Sequence, residues 1–410
     1  MASDLEVWLD SDLTQSLTRV GTLSNDRGGI RIAYDSAWLS SPLSLLMDPS
    51  LTLDQTPFFP KAEAGIFGVL LDSSPDRWGQ TLMRRREVLE AKNVGRKPNN
   101  LYAWDFLVGV QDSSRQGALR FRLAGENGFI SANPIAIPPL ESLPELAEAA
   151  RQLSSKRVDD LVSLEQWVSL VAACGASLGG TRPKANFLAA DQTDWIAKFP
   201  AEDDEIDVGA WEGVTQFLAV RAGVVMPRAK AVRLGGSHHT FCVRRFDRSP
   251  RGRVFYASAM STLRAEQSEG VSYLDLAQFL QTNGSPEHLY GDLAQLFRRV
   301  TFNIAIGNRD DHLRNHGFLM SQQGWRLAPA FDVNPAPHLA AHVLNIDDQD
   351  NRPSLQALTD TAFCYGLDDR QALQVIEEVL EVVGEWRSIA QRMQLPRSEI
   401  ELMESVILAF

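Results

Sequence analysis

Four side chains in this sequence have the types and intervals that phosphoryl transfer requires: Asp310, Asn315, Asp332 and Lys198. The run Gly307-Asn-Arg-Asp-Asp-His-Leu-Arg-Asn315 is the densest polar segment of the C-terminal half and directly follows the apolar stretch RRVTFNIAI. Moving the terminal phosphoryl group of ATP to a hydroxyl needs a base for the hydroxyl proton and hard oxygen ligands for Mg2+. Asp310 has the position of that base. Asn315, five residues on, and Asp332, beyond two strand-like runs, offer a carboxamide and a carboxylate to the metal. The runs NHGFLM and GWRLAPAF are separated by SQQ and are expected to form a hairpin that returns Asp332 beside Asn315. Taken singly each residue is ordinary, because an Asp-Asp-His loop is more often a turn capped by its own carboxylates.

Lys198, in WIAKFP, raises the value of the set. On a strand its neighbours Ala197 and Phe199 point to the opposite face, so its amine can face a cleft and pair the α- and β-phosphates, although a half-exposed strand also carries surface lysines. Upstream, Gly175 to Gly180 is neither G-x-G-x-x-G nor a Walker A run. Its glycines would still let backbone N–H groups approach phosphate oxygens, with Lys184 as a second cation, and a plain helix-to-strand linker reads the same way. Glu212, on the helix after Lys198, is a candidate partner for that lysine. His312 with His316, and His338 with His342, have an i, i+4 interval that suits zinc only on a helix, and neither place reads as one. A phosphohydrolase built on Asp310 and Asp311 would need more carboxylates than the sequence brings near them.

The elements that must position these groups fall into two kinds. Up to about residue 125, short alternating segments (EVWLD, GGIRIAY, GALRFRL) predict strands with one helical insertion around 75–92. The proline-rich stretch 133–145 reads as a connector, followed by a helix near 143–172. KANFLAA and DWIAKFP predict paired strands, 208–222 a helix preceded by acidic residues, and 229–234 and 239–246 further strands. From about 271 the apolar residues recur at helical spacing. A small β-rich lobe followed by a larger helical lobe, α+β in class, is the expectation.

A chain of 410 residues is long enough for two or three subdomains. Its net charge of −12 repels a polyanion over most of the surface, which argues against autonomous nucleic-acid binding. Cys174, Cys242 and Cys364 have no paired spacing, so no disulfide framework or zinc site is expected and a reducing cytoplasm fits. The acidic start MASDLEVWLD is unlike a signal peptide, and no apolar run approaches the roughly 20 residues that span a bilayer.

Together these segments resemble the HipA family of bacterial toxin kinases over most of the chain. SLGGTRPKANF resembles that family's phosphate loop and following strand, WIAKFP its lysine strand and RRFDR its hinge. GNRDDHLRN resembles its catalytic loop, LAPAFD its metal-binding segment, and SSPDRWGQTLMRRR and GALRF parts of its N-terminal region. The resemblance implies a protein-kinase-like bilobal core with an extra N-terminal β-rich subdomain. The divisions would be 1–132 for that subdomain, 133–157 for the connector and helix, 158–248 for the nucleotide-binding small lobe, and 249–410 for the helical catalytic lobe. It implies an ATP- and Mg2+-dependent serine/threonine protein kinase acting on a cellular protein, such as an aminoacyl-tRNA synthetase, and bound by a small DNA-binding antitoxin of HipB type. A catalytically silent scaffold that binds the antitoxin as co-repressor is the alternative. Asp310 would be the catalytic base and Asn315 and Asp332 the metal ligands. The nucleotide would be held by Gly179, Gly180, Thr181, Arg182 and Lys184 in the loop, by Lys198, by backbone groups of Arg244, Arg245 and Phe246, and by His312. Ser177 falls on the family's autophosphorylated loop serine, where added negative charge would expel the loop from a phosphate site. The chain departs from the family's usual pattern at Gly180-Thr181-Arg182, commonly Ala-Gln-Glu, and at Arg244, where Glu is frequent.

Overall fold

The computed structural model describes residues 3–14, 16–26, 29–61, 65–131, 137–154 and 182–410. Contacts gather the chain into two units, Met1–Asp203 with Arg244–Ala257, and Asp204–Val243 with Ser258–Phe410.

The first unit opens with three strands, β1 (Ser3–Leu9), β2 (Thr18–Asp26) and β3 (Gly29–Tyr34), of which β1 and β3 fall on the expected segments EVWLD and GGIRIAY. Alternation decides their faces: Leu5, Val7 and Leu9 are buried while Asp4, Glu6 and Trp8 are not. Helix α1 (Arg77–Asn93) matches the expected insertion; its N-cap Asp76 accepts from the Gly79 amide at 2.7 Å. A short helix α2 (Ala103–Gly109), not expected from sequence, precedes β4 (Leu119–Leu123), which closes an antiparallel sheet in the order β3-β2-β1-β4. Helix α3 (Leu143–Ser154) packs Ala149 and Leu153 against Trp78, Leu82 and Leu89 of α1. The hairpin β5 (Lys184–Leu188) and β6 (Asp194–Lys198) follows, with Ala185, Phe187, Ala197 and Phe199 on its buried face.

What ties 182–203 and 244–257 to the N-terminal sheet is a buried charge cluster. The Arg245 guanidinium, fully buried, forks onto Asp247 through Nε and Nη2 at 2.9 and 2.7 Å. Its Nη1 donates to Asn186 Oδ1 and the Ser114 carbonyl, and Nη2 also to the Arg115 carbonyl. Asp247 further accepts from Arg248 and from the Gly117 amide at 2.8 Å. Burial alone would raise the Asp247 carboxyl, but Arg245, Arg248 and these donors outweigh it and hold the group well below the usual carboxylate range.

In the second unit Asp207 caps helix α4 (Val208–Arg221), which is followed by strands β7 (Ala229–Val232) and β8 (Thr240–Arg244). Helices α5 (Tyr273–Asn283) and α6 (Leu289–Ile306) lead to the hairpin β9 (Gly317–Ser321) and β10 (Gly324–Leu327). A long irregular segment, 328–354, separates that hairpin from α7 (Leu355–Asp360), α8 (Asp369–Val383), α9 (Trp386–Arg392) and α10 (Arg397–Met403). One core joins these pieces: Trp211, Val214 and Leu218 of α4 meet Phe302 and Ile306 of α6, Val379 and Val383 of α8, and Ile400 and Met403 of α10. Among the described residues no helix is long and apolar enough to cross a membrane.

Replacing Asp247 by Ala leaves Arg245 buried without its main counter-charge and is expected to cost about 3–5 kcal/mol of stability by urea titration. Because the folded carboxyl sits below its unfolded value, the stabilisation is complete above about pH 4 and is lost as pH falls further. Asp247→Ala should therefore flatten the acid limb of the stability profile.

Candidate active site

Helix α6 ends at Gly307, whose left-handed φ of 73° lets its amide reach the Asn303 and Ile304 carbonyls and turns the chain out into the loop. A side chain there would meet the Val406 carbonyl at 2.8 Å. Asp310 follows on the exposed side of the loop and Asp311 on the buried side, at 0% exposure. The loop closes on itself when the Asn315 amide donates to the His312 carbonyl at 2.8 Å and Asn315 Nδ2 to the Asp310 carbonyl at 3.0 Å. With Nδ2 tied to the main chain of the candidate base, the carboxamide oxygen of Asn315 is left as its coordinating atom.

The hairpin expected between this loop and Asp332 is present as β9 and β10, in register from Phe318 with Leu327 to Ser321 with Gly324. It is fixed to α6 by Asp292, which takes a fork from Arg326 Nε and Nη2 at 2.7 and 3.1 Å and the Leu327 amide at 3.1 Å. Beyond it, Arg299 Nη2 donates to the Ala328 carbonyl, and the Ala330 amide to the Val225 carbonyl. Asp332 then adopts φ 56°, a left-handed conformation that Asp tolerates better than most residues but that still costs about 1 kcal/mol. The chain comes back to the loop directly after it: the Asn334 amide donates to Asn308 Oδ1 at 3.4 Å and the Ala336 amide to the Gly307 carbonyl at 2.9 Å.

Beneath the loop lies a buried polar network that the sequence did not announce. Asp311 accepts from Tyr273 Oη at 2.5 Å, pairs with His342 Nδ1 at 2.7 Å, and accepts from the Val343 amide at 2.9 Å. Burial first, and then the Asp311 carboxylate, push the Tyr273 phenol well above its ordinary value, so it remains a donor. Asn303 Nδ2 donates to Tyr273 Oη at 2.8 Å, and Asn308 Nδ2 to Asn303 Oδ1 at 3.1 Å. Asn303 could have been noticed as an amide inside the apolar last turns of α6, VTFNIAI. Tyr273 left no such trace, and His342 stood out only for its interval from His338. His316 stacks edge-on against Tyr273 and is fully buried; desolvation, with Arg299 nearby, pushes it down to about 3, so its ring is neutral. Among the described residues no cluster of three or more His, Cys, Asp or Glu side chains forms a metal cage. Magnesium does not require one, since it is held by one or two carboxylates with phosphates and water, and an Asn315 and Asp332 oxygen pair fits that habit.

In the other unit, β5 and β6 place Lys184 directly opposite Lys198, so both amines leave the same face of the hairpin. Lys184 is buried and donates to Asp76 Oδ2 at 2.8 Å, which offsets the crowding of like charges; to reach a phosphate it would first have to leave that pair. Lys198 is partly exposed, with Ala197 and Phe199 buried on the other face as alternation requires. At the expected hinge the Arg245 side chain is committed to Asp247, and its amide donates to the Asp194 carbonyl at 2.9 Å. Arg182 is partly exposed; Ser177, Gly179, Gly180 and Thr181 lie outside the described residues.

Known proteins resemble this chain in sequence and in fold. The HipA-like C-terminal domain family matches residues 176–386. A curated protein of Haemophilus influenzae named "Putative kinase" is 25% identical over 194 residues, covering 40% of this chain and 55% of that protein, so this chain spans about half of its length. A second curated relative, the kinase-named Y4mE of Sinorhizobium fredii, is 25% identical over 365 residues, 80% of this chain and 76% of its own. The solved complex of the Shewanella oneidensis MR-1 toxin–antitoxin proteins HipA and HipB with operator DNA matches in fold, at a TM-score of 0.67 and 18% identity over 98% of this chain and 94% of that one. The α+β, kinase-like architecture expected from sequence therefore holds.

Gly307→Ala combines a left-handed backbone with a close approach to the Val406 carbonyl. It is expected to lower stability by about 2–4 kcal/mol in denaturant titration.

Proposed function

From the premise that this chain belongs to the HipA-like C-terminal domain family, we propose that it is a serine/threonine protein kinase that uses ATP with Mg2+. The observation that carries this reading is the construction of one loop: an exposed Asp310, an Asn315 whose amide nitrogen is tied to the Asp310 carbonyl, and an Asp332 segment bonded back to Gly307 and Asn308. In the proposed reaction Asp310 orients the substrate hydroxyl and takes its proton as the hydroxyl oxygen attacks the γ-phosphorus, whose bond to the β,γ-bridging oxygen breaks so that ADP leaves. Asn315 and Asp332 would hold Mg2+, which neutralises charge on the phosphates when bound. Lys198 would steady the α- and β-phosphates, and the backbone of Arg244 and Phe246 would meet the adenine. The segment from Gly179 to Lys184 would cover the phosphates, with Lys184 leaving Asp76, and His312 would lie against the nucleotide.

Ser177 is the proposed autophosphorylation site, and a cellular protein, such as an aminoacyl-tRNA synthetase, the proposed substrate class. The likeness to a HipA solved with HipB and operator DNA supports a small DNA-binding antitoxin as the partner, and a cytoplasmic setting with it.

Incubation with γ-labelled ATP and Mg2+, followed by mass spectrometry, tests the reading. Label on protein, including Ser177, is expected, and Asp310→Asn should reduce its rate by about 10²–10⁴-fold. Free phosphate without labelled protein would point to a hydrolase. A chain that transfers and hydrolyses nothing would be a scaffold for the antitoxin.

A further inference from the structure

Asp311 lies beside the candidate base, yet it faces the interior, and its donors come from two separate stretches of the second unit. Tyr273 approaches from the start of α5, His342 and Val343 from the irregular segment after Asp332, and Asp311 itself belongs to the loop. The Val343 amide is shared with the Arg309 carbonyl at 3.0 Å, so the segment is sewn to the loop at two adjoining points. The Tyr273 hydroxyl passes the connection on through Asn303 and Asn308 to the amide of Asn334, two residues past Asp332. From one carboxylate, two hydrogen-bonded branches therefore reach the chain that follows Asp332, one at Asn334 and one at His342 and Val343.

We propose that Asp311 is the positioning residue of this site: it holds the loop that carries Asp310 and Asn315 and, through His342, Val343 and the Tyr273–Asn303–Asn308 chain, the segment that carries Asp332. The inference rests on the kinase reading for its catalytic consequence. Its structural content, one buried carboxylate fixing the loop to the segment, stands on the hydrogen bonds alone. Asp311→Asn keeps the volume but replaces one acceptor oxygen by an NH2 group facing donors, so at least one branch must open. Displacing Asp310, Asn315 or Asp332 by about 1 Å is enough to slow transfer by on the order of 10²-fold. The contacts assigned to Lys198, Arg244 and Phe246 are left intact while His312 and the metal ligands move, so the loss should fall more on kcat than on the KM for Mg-ATP.

The test uses the full-length chain with two readouts: steady-state ADP formation from Mg-ATP per folded molecule, and hydrogen exchange of residues 308–316 and 342–345. For Asp311→Asn the expected result is a kcat lower by on the order of 10²-fold with a clearly smaller change in the KM for Mg-ATP. Amide protection in both segments should fall together by about tenfold or more. Tyr273→Phe and His342→Asn each remove one branch and should give the same pattern in weaker form, which keeps the test open if Asp311→Asn fails to fold. A folded variant with a lower melting temperature but unchanged kcat, or with exchange raised in only one of the two segments, would overturn the assignment. Wild-type protein that forms no ADP would overturn the kinase reading and the catalytic role of Asp311, while the exchange data would still show whether the carboxylate holds the loop.

Discussion

A carboxylate withdrawn from water must find donors inside the protein, and where it finds them determines what it holds together. Asp311 has no solvent exposure and is met by the Tyr273 phenol from one stretch of chain and by the His342 imidazole and the Val343 amide from another. Such a cluster is costly if incomplete and rigid if satisfied, which suits a loop whose neighbouring carboxylate faces outward. The arrangement of Asp310, Asn315 and the return of the chain after Asp332 all depend on that loop keeping one shape. Its stability is helped by Gly307, which ends α6 in a conformation few other residues adopt.

The first unit applies the same rule to cations. Arg245 and Lys184 are both buried, and each faces a buried carboxylate, Asp247 and Asp76. These pairs are specific in geometry: Arg245 also reaches three oxygens on Asn186, Ser114 and Arg115, so it fixes the strand hairpin and the 244–257 segment to the N-terminal region. Lys198 is the partly exposed member of the two lysines that share a face of β5 and β6. Asp76, at the start of α1, thus commits Lys184 to a buried structural pair.

Periodicity and spacing were enough for the strands at the N-terminus, the helix at Arg77–Asn93, the β5–β6 and β9–β10 hairpins and the helical C-terminal half, because each is decided by local alternation of apolar residues. The interval from Asp310 to Asn315 was legible for the same reason: both lie in one short loop. Partners distant in sequence were not. Asp76 is far from Lys184, and Tyr273 and His342 are far from Asp311, so nothing in the local pattern announces that they meet. Arg245, expected at a hinge, has a side chain turned inward to Asp247, which only the surrounding packing decides. Helix α2 was missed because seven residues give too little periodicity to read.

The most direct test of the account is a crystal structure of the full-length protein with Mg2+ and a non-hydrolysable ATP analogue. The account predicts a metal ion at about 2.0–2.1 Å from Asn315 Oδ1 and from a carboxylate oxygen of Asp332, with the Lys198 amine on the phosphates and Asp310 facing the terminal one. A nucleotide seated elsewhere, or a metal ion that touches neither Asn315 nor Asp332, would contradict it.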